Sequence, residues 1–378
     1  VSTTVESTTG PGGPATPASP LLSAPGAVAA DGRDSGVAWH YGDPVGEQRA
    51  LVAGTAVADL SHRGVVRVSG PDRLSWLNSI TSQLLTGLAP GRATETLVLS
   101  PQGRIEHDLH LVDDGEATWI TVEPGVQAGL VAFLERMRFM LRVEVADVTA
   151  EWAVLGEPSR DTTAAGGPVW VDPWPGAVPL AEGGSADTAG YSAVSTLEHP
   201  GTGRAWREVL VPRAELAERV AGRRLAGTWA SEALRVEAWR PRLGFETDQR
   251  SIPHEVDWLR TAVHLHKGCY RGQETVAKVH NLGRPPRRLV VLHLDGSGHD
   301  LPAHGDDVVL DDKRIGSVTT AARHHELGPV ALALVKRSLP VDAPLVVLAG
   351  SAGVAEAHQP GPVAQRRIAA AQEVVVAP

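Results

Sequence analysis

His266-Lys-Gly-Cys-Tyr-Arg-Gly-Gln-Glu274 is the stretch around which this 378-residue chain is organised. It holds the only cysteine, Cys269, with Lys267 and Arg271 two residues to either side. Gly268 and Gly272 bracket the sulfur, so a tight turn is expected there, open to close approach by other groups. Gln273-Glu-Thr-Val-Ala-Lys-Val-His280 follows as a short helix with an acidic first turn. Asn281-Leu-Gly283, Pro285 and Pro286 stop it. Cys269 then stands just ahead of a helix N-terminus and between two cations, and both features favour thiolate over thiol. A lone cysteine is more often a small buried apolar residue. The flanking Lys, Arg, Gln and Glu argue instead for a reactive or ligand-contacting role.

Lys267-Gly-Cys-Tyr-Arg-Gly-Gln-Glu274 resembles, without mismatch, the K-G-C-[FY]-x-G-Q-E signature of the YgfZ family of folate-binding iron–sulfur cluster assembly factors. That family lies within the wider aminomethyltransferase (glycine cleavage T-protein) superfamily. Other segments carry the wider likeness. Asp59-Leu-Ser-His-Arg-Gly64, a strand, Gly70-Pro-Asp72 and a helix resemble the superfamily's D-L-S-x-R-G opening. Arg235-Val-Glu-Ala238, continued by Pro241, Gly244, Glu246, Asp248, Pro253 and Glu255, resembles its R-x-E-A…P-x-E segment. Gly316-Ser-Val-Thr319 and Gly328–Lys336 resemble its C-terminal barrel, so the likeness runs from about residue 45 to about residue 350.

The resemblance implies an α+β protein: a T-protein-like ring of three domains, two mixed α/β domains and a C-terminal β-barrel, around a central folate pocket. It implies a tetrahydrofolate-binding accessory to the assembly or repair of iron–sulfur enzymes, with iron–sulfur clients or assembly factors as partners. The alternative is a folate-dependent aminomethyltransferase or methyltransferase. Cys269 is the expected catalytic residue. Tetrahydrofolate, or a one-carbon-substituted folate, would meet Arg235, Glu237, Asp108, Glu255, Lys267, Gly268, Tyr270, Gly272, Gln273 and Glu274.

Composition bounds these readings. Hydrophobic residues make up 42% and charged ones 21%, ordinary globular values for a chain long enough for two or three domains. Ten Trp against three Phe and three Tyr place several indoles at cores or interfaces where the N–H finds a partner. A net charge of −9 gives no footprint for general nucleic-acid binding. One cysteine makes no internal disulfide, which fits a cytoplasmic setting, and cannot alone hold an iron–sulfur cluster, which takes about four thiolates. No apolar run approaches the ~20 residues of a membrane span. Leu21–Ala30 ends in small residues, but nothing basic precedes Arg33, so a secretory signal is not expected.

Residues 1–36 are rich in Ser, Thr, Pro, Gly and Ala, and are expected to be disordered. Residues 37–284 form the folate-binding region of two intertwined mixed domains. Val65–Ser69 is a strand and Arg73–Ile80 a helix capped by Asp72. Thr94–Ser100 and Arg104–Val112 form a hairpin, and Thr118–Val122 adds a strand. A long helix runs to about Arg142, with Leu130, Leu134, Met137 and Leu141 on its buried face. Residues 151–205 are a peripheral region with short strands at Ala153–Leu155 and Val169–Val171. Short strands separated by turns over 285–350 make the barrel, and 351–378 are a mobile tail.

Tetrahydrofolate offers ring N–H donors and a carboxylate tail, so its site needs carboxylates and cations. Glu237, Asp248 and Glu255 are candidate acceptors; Arg235, Lys278, Arg284, Arg287 and Arg288 are candidate tail partners. Aminomethyltransferases carry two consecutive aspartates after a Gly-rich turn. Here His107 stands in the first place and Asp108 in the second, and Arg204 replaces a pterin-binding glutamate. His107 has the titration range of an acid or base. His264, His266, Cys269 and His280 are ligand types at short spacing, but meet no zinc pattern, and no metal is expected.

Overall fold

The computed structural model describes residues 16–163, 166–176, 193–298, 300–351 and 365–378. β1 (Val28–Ala29) pairs antiparallel with β2 (Ala38–His40). α1 (Pro44–Val52) starts where Asp43 accepts from the Gly46 N–H, and leads into β3 (Ala56–Asp59). Then come β4 (Gly64–Ser69), α2 (Arg73–Ile80), the hairpin of β5 (Ala93–Leu99) and β6 (Ile105–Asp113), β7 (Ala117–Val122), α3 (Gln127–Arg138) and β8 (Glu144–Asp147). Their five strands form one sheet in the order β5-β6-β7-β4-β8. Its apolar face packs on α2 and α3 through Trp76, Leu77, Leu130 and Phe133.

A second five-stranded sheet uses β9 (Trp152–Glu157), β10 (Val169–Val171), β11 (Arg207–Pro212) and, after α4 (Leu216–Arg219), β12 (Arg224–Ala226). Its order is β10-β11-β9-β3-β12, with β12 parallel to β3. Because β3 precedes the whole first sheet, the two mixed α/β units are intertwined along the chain. α5 (Thr228–Glu237) packs on α1 and reaches the barrel, burying Ala230, Ala233, Leu234 and Val236. After α6 (Gln273–Leu282), a closed barrel of β13 (Arg287–Leu294), β14 (Asp307–Leu310), β15 (Lys313–His324), β16 (Gly328–Lys336), β17 (Leu345–Ala349) and β18 (Arg366–Val374) completes the fold.

The structure corrects three expectations. Of the segment expected to be disordered, residues 1–15 lie outside the described residues, but 16–36 form an ordered strap. Buried Leu21 and the Ser19 hydroxyl, which donates to Asp59 at 2.5 Å, fasten it to the second sheet. The barrel does not end at residue 350. Residues 352–364 lie outside the described residues, and β18 then pairs with both β17 and β13. Without β18, β13 and β17 would be open edges. Its run of alanines hides the alternation that marks a strand. α3 stops at Arg138, where Phe139 takes φ +48°, and Met137, on its last turn, and Leu141, beyond it, are exposed rather than buried.

Candidate functional site: a buried ionic cavity and an exposed thiol loop

Side chains alternate faces along a strand, so Asp108 and His110 of β6 share one face, and Glu95 of β5 lies directly across from His110. All three are buried, and their ligand-type atoms lie within 4.8 Å of one another. Glu95 pairs with Arg240 at 2.6 Å and accepts from the Thr261 hydroxyl. Arg240 also faces Asp172 at 3.3 Å, and Arg204 donates to Asp172 at 2.8 Å. The His110 ring stacks on Trp170 at 3.7 Å, and its Nδ1 lies 3.1 Å from Glu208, which Arg63 contacts at 2.6 Å.

Arg63 and Arg204 also line a cavity of about 30 Å³, together with Asp34, His62, Trp206, Glu232, Arg235 and Arg242. Arg204 lies over the Trp206 ring at 4.7 Å and joins the cavity to the cluster behind it. Arg235 is held by Glu232, by Glu246 at 2.8 Å and by Thr320 at 3.0 Å, which ties α5 to β15 of the barrel. Arg242 pairs with Asp34 at 2.6 Å, Glu123 at 2.8 Å and Glu232 at 3.3 Å. All three folding units thus contribute to one connected ionic interior.

Its protonation states follow from burial and neighbours. Burial pulls the His110 imidazole down, but the Glu208 and Asp108 carboxylates push it up, to about 9. Burial raises the Glu95 carboxyl to about 7 against the pull of Arg240. Glu208 is also desolvated, yet Arg63 and His110 hold it well below the usual carboxylate range. By donor type Glu95, Asp108 and His110 could take a metal ion. However, Arg240 already supplies the positive charge, and protonated His110 has no lone pair to give. Several buried atoms have no protein partner: Asp108 Oδ1, Arg63 Nε, Arg204 Nε and Arg240 Nη1. These invite a polar ligand rather than a cation.

Cys269 lies elsewhere on the surface, exposed, four residues ahead of α6. Its two cations are otherwise engaged, which corrects the expectation that they act on the sulfur. Lys267 is buried, and its Nζ donates to the carbonyls of Asn78, Thr81 and Gln83 at 2.6, 2.8 and 2.6 Å. Burial lowers this ammonium to about 7. Arg271 pairs with Glu106 at 2.7 Å and lies over Phe133. Gly272 takes φ +84° against the Ser100–Gly103 turn, while Gly268 faces open space. Gln273 donates to the Lys267 carbonyl, Glu274 is exposed, and Tyr270 packs into the core.

Of the residues singled out from sequence, Arg235 lines the cavity and Asp108 belongs to the cluster behind it. None of residues 266–274 lines the cavity. Glu237 is outside it, on the barrel side of α5, 3.3 Å from His324. Glu255 is fully buried, but pairs with Arg287 at 2.8 Å, as Asp248 does at 2.6 Å, in a bridge to the barrel. His107 points from the opposite face of β6 towards Gly129 of α3, and burial lowers it to about 4. It therefore does not stand in for a cavity aspartate. Sequence reasoning missed Arg63, Glu95, His110, Asp172, Glu208, Arg240 and Arg242. The available signal was a charged residue at an inward position of an otherwise apolar strand, as at Glu95 and Glu208.

Residues 21–157 match the GCVT N-terminal domain, and residues 287–364 match the glycine cleavage T-protein C-terminal barrel domain. With these domains in this order on this fold, the chain belongs to the glycine cleavage T-protein superfamily. Among relatives, the aminomethyltransferase of Rubrobacter xylanophilus is 28% identical over 308 residues, covering 76% of this chain and 78% of that protein. The aminomethyltransferase of Streptomyces coelicolor is 29% identical over 314 residues, covering 78% and 82%. A chloroplastic protein of Arabidopsis thaliana named as a transferase is 27% identical over 283 residues; the match takes in 71% of this chain but 62% of that protein's length. The glycine cleavage system aminomethyltransferase T from Bartonella henselae has the same fold, with a TM-score of 0.69 at 18% identity over 95% of each chain.

Proposed function

We propose that this chain binds a reduced folate through its ionic interior and moves a one-carbon unit to or from it, as a folate-dependent aminomethyl- or methyltransferase. The observation that carries this reading is the set of buried atoms without protein partners: Asp108 Oδ1 as an acceptor, with Arg204 Nε and Arg240 Nη1 as donors. A pterin edge presents N–H donors beside a carbonyl, and so calls for both an acceptor and donors of this kind. The carboxylate tail of a folate suits the guanidinium groups lining the cavity. The relatives named aminomethyltransferase support the same reaction class. In size the fit is incomplete: about 30 Å³ holds roughly two waters, so a wall must move before a ring enters. Calorimetric titration of the full chain with tetrahydrofolate, followed by an assay of transfer from an aminomethylated carrier protein, tests the reading. Binding with turnover supports it, and absence of both defeats it.

A second reading has one specific observation behind it. The Lys267–Glu274 string places Cys269 on the surface, outside the cavity, where a partner protein can reach it. That arrangement suits the narrower role of an accessory to iron–sulfur enzymes, with the thiol presented to a client. Iron–sulfur enzyme activities that stay normal in cells carrying only Cys269→Ala would rule this role out.

A further inference from the structure

The strap formed by residues 16–36 contributes Asp34 to the lining of the ionic cavity. It is fastened on both sides of one short loop. Ser19 and Leu21 hold the first side, and the second is held by β1–β2 pairing with the Ala30 N–H donating to the Val37 carbonyl at 2.9 Å. In the loop itself Asp31, Gly32, Arg33 and Ser35 are exposed, while the Asp34 side chain is turned inward and 14% exposed. Gly32 and Gly36 flank it at φ +58° and +100°, conformations that let so short a loop fold back on itself. Asp34 lies 2.6 Å from Arg242 and 3.0 Å from His62, and is itself part of the cavity lining.

Arg242 does not depend on Asp34 for neutralisation. Glu123 at 2.8 Å, just after β7, and Glu232 at 3.3 Å, on α5, remain beside it if the loop withdraws. Withdrawal would also remove one negative charge from a lining that contains Arg63, Arg204, Arg235 and Arg242. The seat left open would be sized and charged for a carboxylate.

We propose that Arg242 and His62 form a carboxylate-binding subsite that the chain fills with its own Asp34, and that a ligand bearing a carboxylate takes this place by displacing the loop. The identity of that ligand as a folate rests on the functional reading above; the displacement does not. It also supplies the moving wall that a cavity of about 30 Å³ requires.

The test uses glutarate as the carboxylate probe and glutaramide as its uncharged control. Hydrogen exchange of residues 30–37 is followed in the full chain and in Asp34→Asn. Glutarate should raise exchange in the wild-type loop saturably, about tenfold, with glutaramide inert. Asp34→Asn should show the raised rate without any addition, and should no longer respond. Exchange unmoved by glutarate and unchanged by Asp34→Asn would make Asp34 a structural ion pair only, and overturn the proposal. Tetrahydrofolate titration separates the two claims. A glutarate response without folate binding sinks the folate reading alone. Folate binding whose affinity Asp34→Asn leaves unchanged, with no glutarate response, sinks the displacement alone; the displacement expects about a fivefold to tenfold gain.

Discussion

Cys269 stands on a loop whose chemistry is contained in nine consecutive residues, whereas Asp108 belongs to an interior assembled from Arg63, Glu95, Asp172, Arg204, Glu208, Arg240 and Arg242. The loop is pinned by backbone contacts: a buried lysine satisfied by three carbonyls, and a glycine pressed against a neighbouring turn. The interior is pinned by opposite charges that must balance out of reach of water. The two regions therefore tolerate change differently. Loss of a side chain from the loop's outer face leaves no buried charge unpaired, whereas loss of one arginine inside strands its carboxylates.

The sharpest way to break this contrast is Arg240→Met. It leaves Glu95 and Asp172 buried without their shared guanidinium, although Arg204 still reaches Asp172. A loss of about 3–5 kcal/mol is expected, measured by urea unfolding. A loss below about 1 kcal/mol would mean that the interior is no more constrained than the loop.

His110 gives the next largest effect. Its folded value, raised to about 9, lies above the ordinary 6.5. The stabilisation is therefore complete below about pH 6.5 and is lost as the pH rises through 9, an amount on the order of 3 kcal/mol. Lys267 acts in the opposite sense. Burial depresses it to about 7, so its contribution improves as the pH rises from about 7 towards its ordinary range. Comparing wild type with His110→Gln isolates the histidine: their stabilities should converge between pH 7 and 9.5, and nitrogen NMR should show the imidazolium at pH 8. A neutral ring at pH 7 would break the ionic description of the interior.

This division also explains what the sequence revealed. The Lys267–Glu274 string, the β5–β6 hairpin and five of the six barrel strands are local patterns, legible from spacing and turn residues. β18 was hidden because alanines carry little contrast between inward and outward positions, and the strap because its anchors, Ser19 and Leu21, are single residues in a Ser/Pro/Ala-rich run. Arg235 and Asp108 came from resemblance. The rest of the interior pairs far along the chain (Arg63 with Glu208, Arg240 with Glu95, Arg242 with Glu123), and nothing local pairs an arginine with a carboxylate more than a hundred residues away.

Within the loop, two glycines sharpen the comparison. A Cβ on Gly272 would meet the Ser100 carbonyl oxygen at 2.5 Å, at φ +84°. Gly272→Ala should cost about 1–3 kcal/mol in thermal or urea unfolding. Gly268 has nothing within 4 Å of that position, so Gly268→Ala should fall within about 0.5 kcal/mol of wild type. Equal costs at the two positions would mean that the loop is not braced on the hairpin turn.

Cys269→Ala should disturb stability least, by no more than about 0.5 kcal/mol, and for that reason it separates the roles of the two regions most cleanly. The sulfur is exposed, so a thiol reagent should label the native protein at one site at nearly the rate of the unfolded chain. Because no residue from 266 to 274 lines the cavity, tetrahydrofolate affinity should be unchanged in Cys269→Ala, while any function that hands the thiol to a partner is lost. A drop in folate affinity of tenfold or more would place the sulfur beside the ligand. The loop and the interior would then be one site, closed by motion of the strap or of α6, rather than two.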